Sequence, residues 1–173
     1  MAAFDLARIA ARKLREGHSA ERAQGYEAVA AAAAGLGFVI KLVPPGDPVI
    51  GTSDAKLLRD WLSIYVRNDV SSDQAAAYAA HELGHLELHQ PQELCSGSDP
   101  DAGASRALSR VEAYGPRERR ELQANVFARE FLLPRSLARQ LFLVECKSAA
   151  DIAQTLKLPY PLVRRQLLDS LLG

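Results

Sequence analysis

The stretch "AAHELGHLELHQ", residues 79–90, contains three of the four histidines of the chain. Its three histidines, His81, His85 and His89, are spaced four residues apart, and Glu82 follows the first of them. The alanine-rich residues before it favour a helix, on which side chains four positions apart share one face. The stretch therefore predicts a helix that carries a HExxH pattern, a known arrangement for binding a metal ion.

The HExxH pattern predicts a role for each of its polar residues. His81 and His85 lie about one helical turn apart, so both imidazoles can bind one Zn²⁺ at about 2.0–2.1 Å. Glu82 is turned by about 100° around the helix, which places its carboxylate beside a water on the metal rather than on the metal itself. A carboxylate there can take the proton of the water and pass it to a leaving amine.

A catalytic zinc needs a third protein ligand, and the sequence offers three sources for it. The first is His89, on the same predicted helix. His89 is eight residues after His81, which is about 12 Å along a straight helix. The zinc pattern with three histidines also has a glycine turn, whereas position 88 is leucine. We therefore expect His89 beside a ligand or at the helix end. The second kind of candidate is an acid of the following segment: Glu93, Asp99, Asp101 or Glu112.

The third kind of candidate lies in "RRELQANVFAREFLLP", residues 119–134. Glu121 and Asn125 are four residues apart and share a face of the predicted helix. Laid against the HExxH helix, this pair can supply one carboxylate to the metal and one amide that orients a histidine ring. Spacing alone leaves the three kinds of candidate open.

Hydrophobic periodicity and helix-ending residues predict an α+β fold in which helices outnumber strands. A small sheet of about three strands is expected, and residues 91–116 are expected to form a polar loop. Helices are predicted over 4–15, 19–34, from 69–72 to 89, 116–132, 135–145, 148–156 and 161–172, and strands over 38–43, 61–67 and, as a short segment, 49–52.

Composition limits the partners and the compartment. The chain has 173 residues, 48% of them hydrophobic, which is enough for one domain with a core. Its 21 basic and 21 acidic residues give no overall attraction to nucleic acid or to a membrane. No run approaches the roughly 18 apolar residues of a membrane span, and the charged N-terminus is unlike a signal peptide. Cys95 and Cys146 lack a CxxC spacing and are expected to be unpaired thiols in the cytoplasm.

"AAHELGHLELH" followed by "ERRELQANVFAREFLLP" resembles the ImmA/IrrE family of bacterial metallopeptidases. The hallmark of that family is HExxH and then an ExxAN-x-FA element, which here begins at Glu121. The resemblance covers roughly residues 15–172. It implies a mostly helical, zincin-like domain with Glu121 as the third zinc ligand beside His81 and His85.

The same resemblance implies an activity. The chain is expected to be a cytoplasmic zinc endopeptidase, with Mn²⁺ as an alternative metal and Glu82 as the general base. Its expected substrate is a helix-turn-helix repressor of a stress, phage or mobile-element response. Asn125 and His89 are expected next to the metal ligands. Tyr114, or an arginine within 117–120, is the candidate donor to the oxyanion.

The last residues, 148–172, are typical of a helix-turn-helix, with a turn at 157–159. In such a motif, basic and polar side chains at the start of the second helix meet the bases, and here that start is "PYPLV". Direct DNA binding is therefore not expected. We expect one domain, 1–173, with a core over about 1–146 and a helical tail over 147–173. The alternative function is a regulatory module that binds a repressor or DNA with little or no turnover, as part of a larger protein.

Overall fold

The computed structural model describes residues 3–17, 23–89 and 115–172. A 3₁₀ turn, Arg59–Trp61, and a π-helical turn, Gln140–Val144, interrupt the regular elements. The predicted α+β fold, mostly helical with a three-stranded sheet, is confirmed. In chain order the elements are α1 (Ala3–Gly17), α2 (Gly25–Gly35), β1 (Val39–Val43), β2 (Ala55–Leu58), β3 (Ser63–Arg67), α3 (Ser72–Leu88), α4 (Pro116–Leu132), α5 (Arg135–Arg139), α6 (Ala149–Leu156) and α7 (Tyr160–Leu172).

Helices α3 and α4 pack against each other at the centre of the fold. Helix α1 lies on α4, and α2 lies on α3. Alanines fill much of the contact between α2 and α3, and the larger side chains of α4, such as Phe127 and Phe131, complete the core. Small side chains let two helices approach closely, so this alanine-rich core brings helix backbones near one another.

Helices α3 and α4 approach each other closely at Gly84. A Cβ atom placed on Gly84 would be 3.0 Å from the Cα and 3.1 Å from the carbonyl oxygen of Ala124, and 3.2 Å from the Cβ of Phe127. Two of these three neighbours are backbone atoms, which cannot move aside as a flexible side chain can. The spacing of the two central helices therefore requires glycine at position 84.

The sheet has the order β1-β3-β2, with β1 parallel and β2 antiparallel to β3. The central strand is buried, as its apolar residues Ile64 and Val66 predict. Strand β2 forms one edge of the described sheet, and its Leu57 is opposite Ile64. Helix α3 packs against β2.

The prediction of a short strand at 49–52 is wrong, since those residues form turns. The Asp47 carboxylate accepts a hydrogen bond from the Val49 N–H at 2.8 Å, which favours the turn. The strand lies at Ala55–Leu58 instead, where "AKLL" has no β-branched residue to mark it. The strand predicted from Trp61 begins at Ser63, because Leu62 has the left-handed φ of 45°.

Several predicted helix boundaries also differ. Helix α2 begins at Gly25, not at residue 19, and residues 18–22 lie outside the described ranges. Ser71 is at the N-cap of α3 but makes no side-chain capping hydrogen bond. The helix predicted over 135–145 is α-helical only to Arg139 and continues as the π-helical turn.

The tail helix α7 is attached to α4 through buried polar groups. The Gln166 side-chain N–H donates to Glu130 Oε2 at 3.0 Å and to the Leu133 carbonyl at 2.8 Å. Asp169 accepts a further bond from Arg129 at 2.7 Å. Residues 147–172 therefore pack on the core as two helices joined by a short turn.

Cys146 is a free, exposed thiol. Cys95 lies outside the described residues, as does most of the polar loop predicted over 91–116. Among the helices that are described, none has the length and apolar character needed to cross a membrane.

Replacing Gly84 by alanine should lower the free energy of unfolding by about 1–3 kcal/mol, because the new methyl group overlaps the Ala124 backbone. Chemical denaturation measures the change. Gly17→Ala is the matched control, since nothing lies within 4 Å of a Cβ at position 17. The control should be neutral or slightly stabilising. A Gly84→Ala variant as stable as the parent would contradict the tight crossing.

Replacing Gln166 by alanine should lower the free energy of unfolding by about 2–3 kcal/mol, because the buried Glu130 carboxylate loses a hydrogen-bond donor. Unfolding should stay a single transition, since the tail packs on the core. The control is Gln154→Ala on the exposed side of α6, expected within about 0.5 kcal/mol of the parent. Two separate transitions in the parent would show that the tail unfolds independently.

Candidate metal centre

The imidazoles of His81 and His85 project from the same side of α3. Their Nε2 atoms are 2.9 Å apart, and the ring centroids are 4.7 Å apart. When both ring hydrogens are on the Nδ1 atoms, the two Nε2 lone pairs point at one place and repel each other unless a positive charge lies between them. The pair is therefore suited to hold a cation.

Glu121 of α4 is the third group at this point. Its Oε2 is 3.2 Å from His81 Nε2 and 3.5 Å from His85 Nε2. Its other oxygen, Oε1, is buried and has no hydrogen-bond partner among the described residues. An unpaired buried acceptor costs free energy, so the Glu121 carboxylate is held here without full hydrogen bonding.

The three side chains fit a zinc ion. Their ligand atoms all lie within 4.8 Å of one another. A tetrahedral zinc with bonds of about 2.0–2.1 Å places its ligand atoms about 3.3 Å apart. The three distances between the ligand atoms here, 2.9, 3.2 and 3.5 Å, are close to that value. Two histidines and one carboxylate, with a fourth position left for water, are the ligand set of many catalytic zinc sites.

The electrostatics of the site favour a cation. Burial alone would raise the pKa of Glu121, but hydrogen bonds and charge interactions with His81 and His85 hold it well below its usual range. Burial alone would likewise lower the pKa of His81, yet Glu121 and the charge of Glu82 raise it overall. Two carboxylates thus give the site a negative potential.

Asn125 contacts the outer nitrogen of His81. Its Oδ1 is 2.9 Å from His81 Nδ1, so the ring N–H donates to the amide oxygen. This hydrogen bond leaves the Nε2 lone pair of His81 directed at the candidate metal position. The structure therefore brings Asn125 to the place that the spacing from Glu121 suggested.

His89 contacts His85 rather than the candidate metal position. Helix α3 ends at Leu88, and His89 is extended, with φ −125° and ψ 138°. Its ring turns back so that its Nδ1 is 2.9 Å from His85 Nδ1. Burial lowers the pKa of His89, in keeping with a neutral ring that accepts a hydrogen bond.

Glu82 lies beside the site and is bonded to the sheet. It is buried, and its Oε2 accepts a hydrogen bond from the Leu57 N–H of β2 at 3.0 Å. Because Leu57 is on an edge strand, this hydrogen bond joins α3 to the edge of the described sheet.

Three residues that help to position the groups of this site were not predicted from the sequence. Gly84 sets the helix spacing, and Leu57 lies on a strand that propensity does not mark. Arg59 donates to the backbone carbonyls of His85 at 2.8 Å and His89 at 2.6 Å, at the C-terminal end of α3. A cation at a helix C-terminus is a recognisable pattern, but only the fold shows which arginine it is.

Some predicted candidates cannot be placed. Tyr114 and the alternative acidic ligands lie outside the described ranges: Glu93, Asp99, Asp101 and Glu112. The arginines of 117–120 are on the first turn of α4, where Arg117 and Arg119 are exposed.

Comparison with known proteins assigns the chain to a family. A family model described as Peptidase M78, IrrE N-terminal-like domain, matches residues 50–168, the range that holds β2, α3 and α4. A search of curated proteins finds no match. The family match covers more than half of the 173 residues and confirms the resemblance drawn from the sequence. The chain belongs to the M78 family of peptidases, the family of IrrE N-terminal-like domains.

Proposed function

We propose that this chain is a cytoplasmic zinc-dependent endopeptidase in which His81, His85 and Glu121 hold the metal. The convergence of two Nε2 atoms and one carboxylate oxygen, 2.9–3.5 Å apart, carries this proposal. Membership of a metallopeptidase family supports it. Mn²⁺ is the alternative metal.

A bound zinc ion would supply a Lewis acid that polarises the scissile carbonyl and makes water a stronger nucleophile. Glu82 takes the proton of the attacking water and returns it to the leaving amine. The Leu57 N–H fixes one oxygen of Glu82, so we assign the proton transfer to the other oxygen, Oε1. Asn125 holds the His81 ring in the orientation that ligation needs.

The position of the edge strand β2 is consistent with a substrate that binds as an extended peptide. The Leu57 N–H points away from β3 and toward Glu82, so the outward edge of the strand runs past the proposed general base. A peptide added to this edge would be held by hydrogen bonds to main-chain groups of β2 other than the Leu57 N–H, which Glu82 occupies. Main-chain hydrogen bonds require no particular side-chain sequence. The scissile bond would then lie beside both Glu82 and the metal ligands.

The substrate we propose is a helix-turn-helix repressor. The support for this choice is the ImmA/IrrE resemblance of the HExxH and ExxAN-x-FA elements, residues 81–85 and 121–128. The competing proposal is a regulatory module that binds a repressor without cleaving it. Cleavage and complex formation separate these two proposals.

Zinc should bind the chain with one-to-one stoichiometry, and Glu121→Gln should weaken binding by at least about 100-fold, because the third ligand loses its charge. Titration against a chromophoric chelator measures both, and competition with Mn²⁺ identifies the preferred metal. The matched control is Glu87→Gln, which removes the same charge from an exposed position of α3 and should bind zinc like the parent. Equal affinity in all three proteins would exclude Glu121 as a ligand.

Glu82→Gln should retain zinc and fold but reduce cleavage by about 10²–10⁴-fold, because the amide cannot accept the proton of the water. The measurement is mass spectrometry of a helix-turn-helix repressor incubated with each protein, with and without a chelator. Glu87→Gln should cleave normally. Full activity of Glu82→Gln would overturn the mechanism, and a stable complex with both chains intact in the parent would favour the regulatory module.

A further inference from the structure

A chain of hydrogen-bonding side chains runs outward from the His85 ring. The Nδ1 atoms of His85 and His89 are 2.9 Å apart, and His89 Nε2 is 3.0 Å from Gln123 Oε1. Gln123 lies on α4, two residues after Glu121. The chain thus connects one proposed ligand to an amide on the helix that carries another.

The direction of these hydrogen bonds is determined from the metal end. His85 can bind a metal through Nε2 only when its ring hydrogen is on Nδ1. That N–H donates to His89 Nδ1, which must therefore be an acceptor. The hydrogen of His89 is then on Nε2 and donates to Gln123 Oε1, an oxygen that only accepts.

We propose, on the basis of the metal site proposed above, that Gln123 is a positioning residue for His85. By accepting the Nε2–H of His89, it stabilises the tautomer of His89 that accepts a hydrogen bond from His85 Nδ1. Asn125 does the same for His81 directly, with its Oδ1 at 2.9 Å. Two amides of one helix therefore set the ring orientation of both histidine ligands.

The position of His89 is defined independently of its ring. The Arg59 guanidinium donates to the His89 carbonyl at 2.6 Å and to the Leu86 carbonyl at 3.2 Å. The extended backbone after Leu88 then directs the ring back onto His85, with centroids 5.0 Å apart. The Gln123 side chain contacts the other ring nitrogen of His89, Nε2.

The decisive variant is Gln123→Lys, because an ammonium donates and cannot accept. It would donate to His89 Nε2 and force the His89 hydrogen onto Nδ1. That hydrogen would donate to His85 Nδ1, so the His85 hydrogen would occupy Nε2, the proposed ligand atom. We expect zinc affinity to fall by about 10–100-fold.

Two controls accompany this variant. Gln123→Glu keeps an acceptor at the same distance and should bind zinc within about threefold of the parent, since the direction of the hydrogen bonds is preserved. Gln154→Lys makes the same change of charge at an exposed position of α6 and should bind zinc as the parent does.

A double-mutant cycle separates an effect through His89 from simple charge repulsion. Gln123→Lys is combined with His89→Phe, and zinc affinity is measured for all four proteins. If lysine acts through the His89 tautomer, its penalty should largely disappear in the His89→Phe background. A penalty of the same size in both backgrounds would overturn the proposal.

The tautomers can also be observed without any substitution. In zinc-loaded parent protein, the ¹⁵N shifts of the imidazoles should show His89 with its hydrogen on Nε2 and His85 with its hydrogen on Nδ1. The reverse tautomer of His89 would overturn the role of Gln123. A parent chain that binds no zinc at all would instead overturn the proposed function, so the two failures are distinguishable.

Discussion

The close crossing of α3 and α4 at Gly84 is the constraint on which the candidate site depends. Only a hydrogen atom fits between the Gly84 Cα and the backbone of Ala124. Glu121 lies about one turn before Ala124, and His81 and His85 lie on either side of Gly84 along the chain. The contact that brings the backbones together therefore also brings the carboxylate to the two imidazoles.

Strand β2 and the 3₁₀ turn that follows it connect the sheet to the HExxH helix at two places. Leu57 donates its N–H to Glu82 in the middle of the site, and Arg59 binds the carbonyls at the end of the helix. These residues are two apart, so one short stretch fixes both the proposed base and the turn that holds His85 and His89. Helix α3, the proposed general base Glu82 and the strand edge are in this way joined by hydrogen bonds.

The sequence predicted the part of the structure that depends on local pattern. Periodicity and alanine content located α3 and α4, and the HExxH spacing identified two imidazoles on one face. The pair Glu121 and Asn125 followed from the same four-residue rule on a second helix, although spacing alone did not choose Glu121 over other acids. Strand β2 was missed because "AKLL" owes its conformation to pairing with β3 and not to its own propensity. The contacts of Arg59 and Gln123 with the HExxH helix join segments that are distant in the chain, which no local pattern encodes.

The gathering of three ligand atoms from two helices has a consequence for the lifetime of the protein in a cell. A cation held there, as proposed, would bind the folded chain, in which these groups meet, and not the unfolded chain. A ligand that binds only the folded chain shifts the folding equilibrium in proportion to the logarithm of its concentration. Degradation acts on the small unfolded fraction, so the abundance of this chain would follow the supply of metal as well as its rate of synthesis.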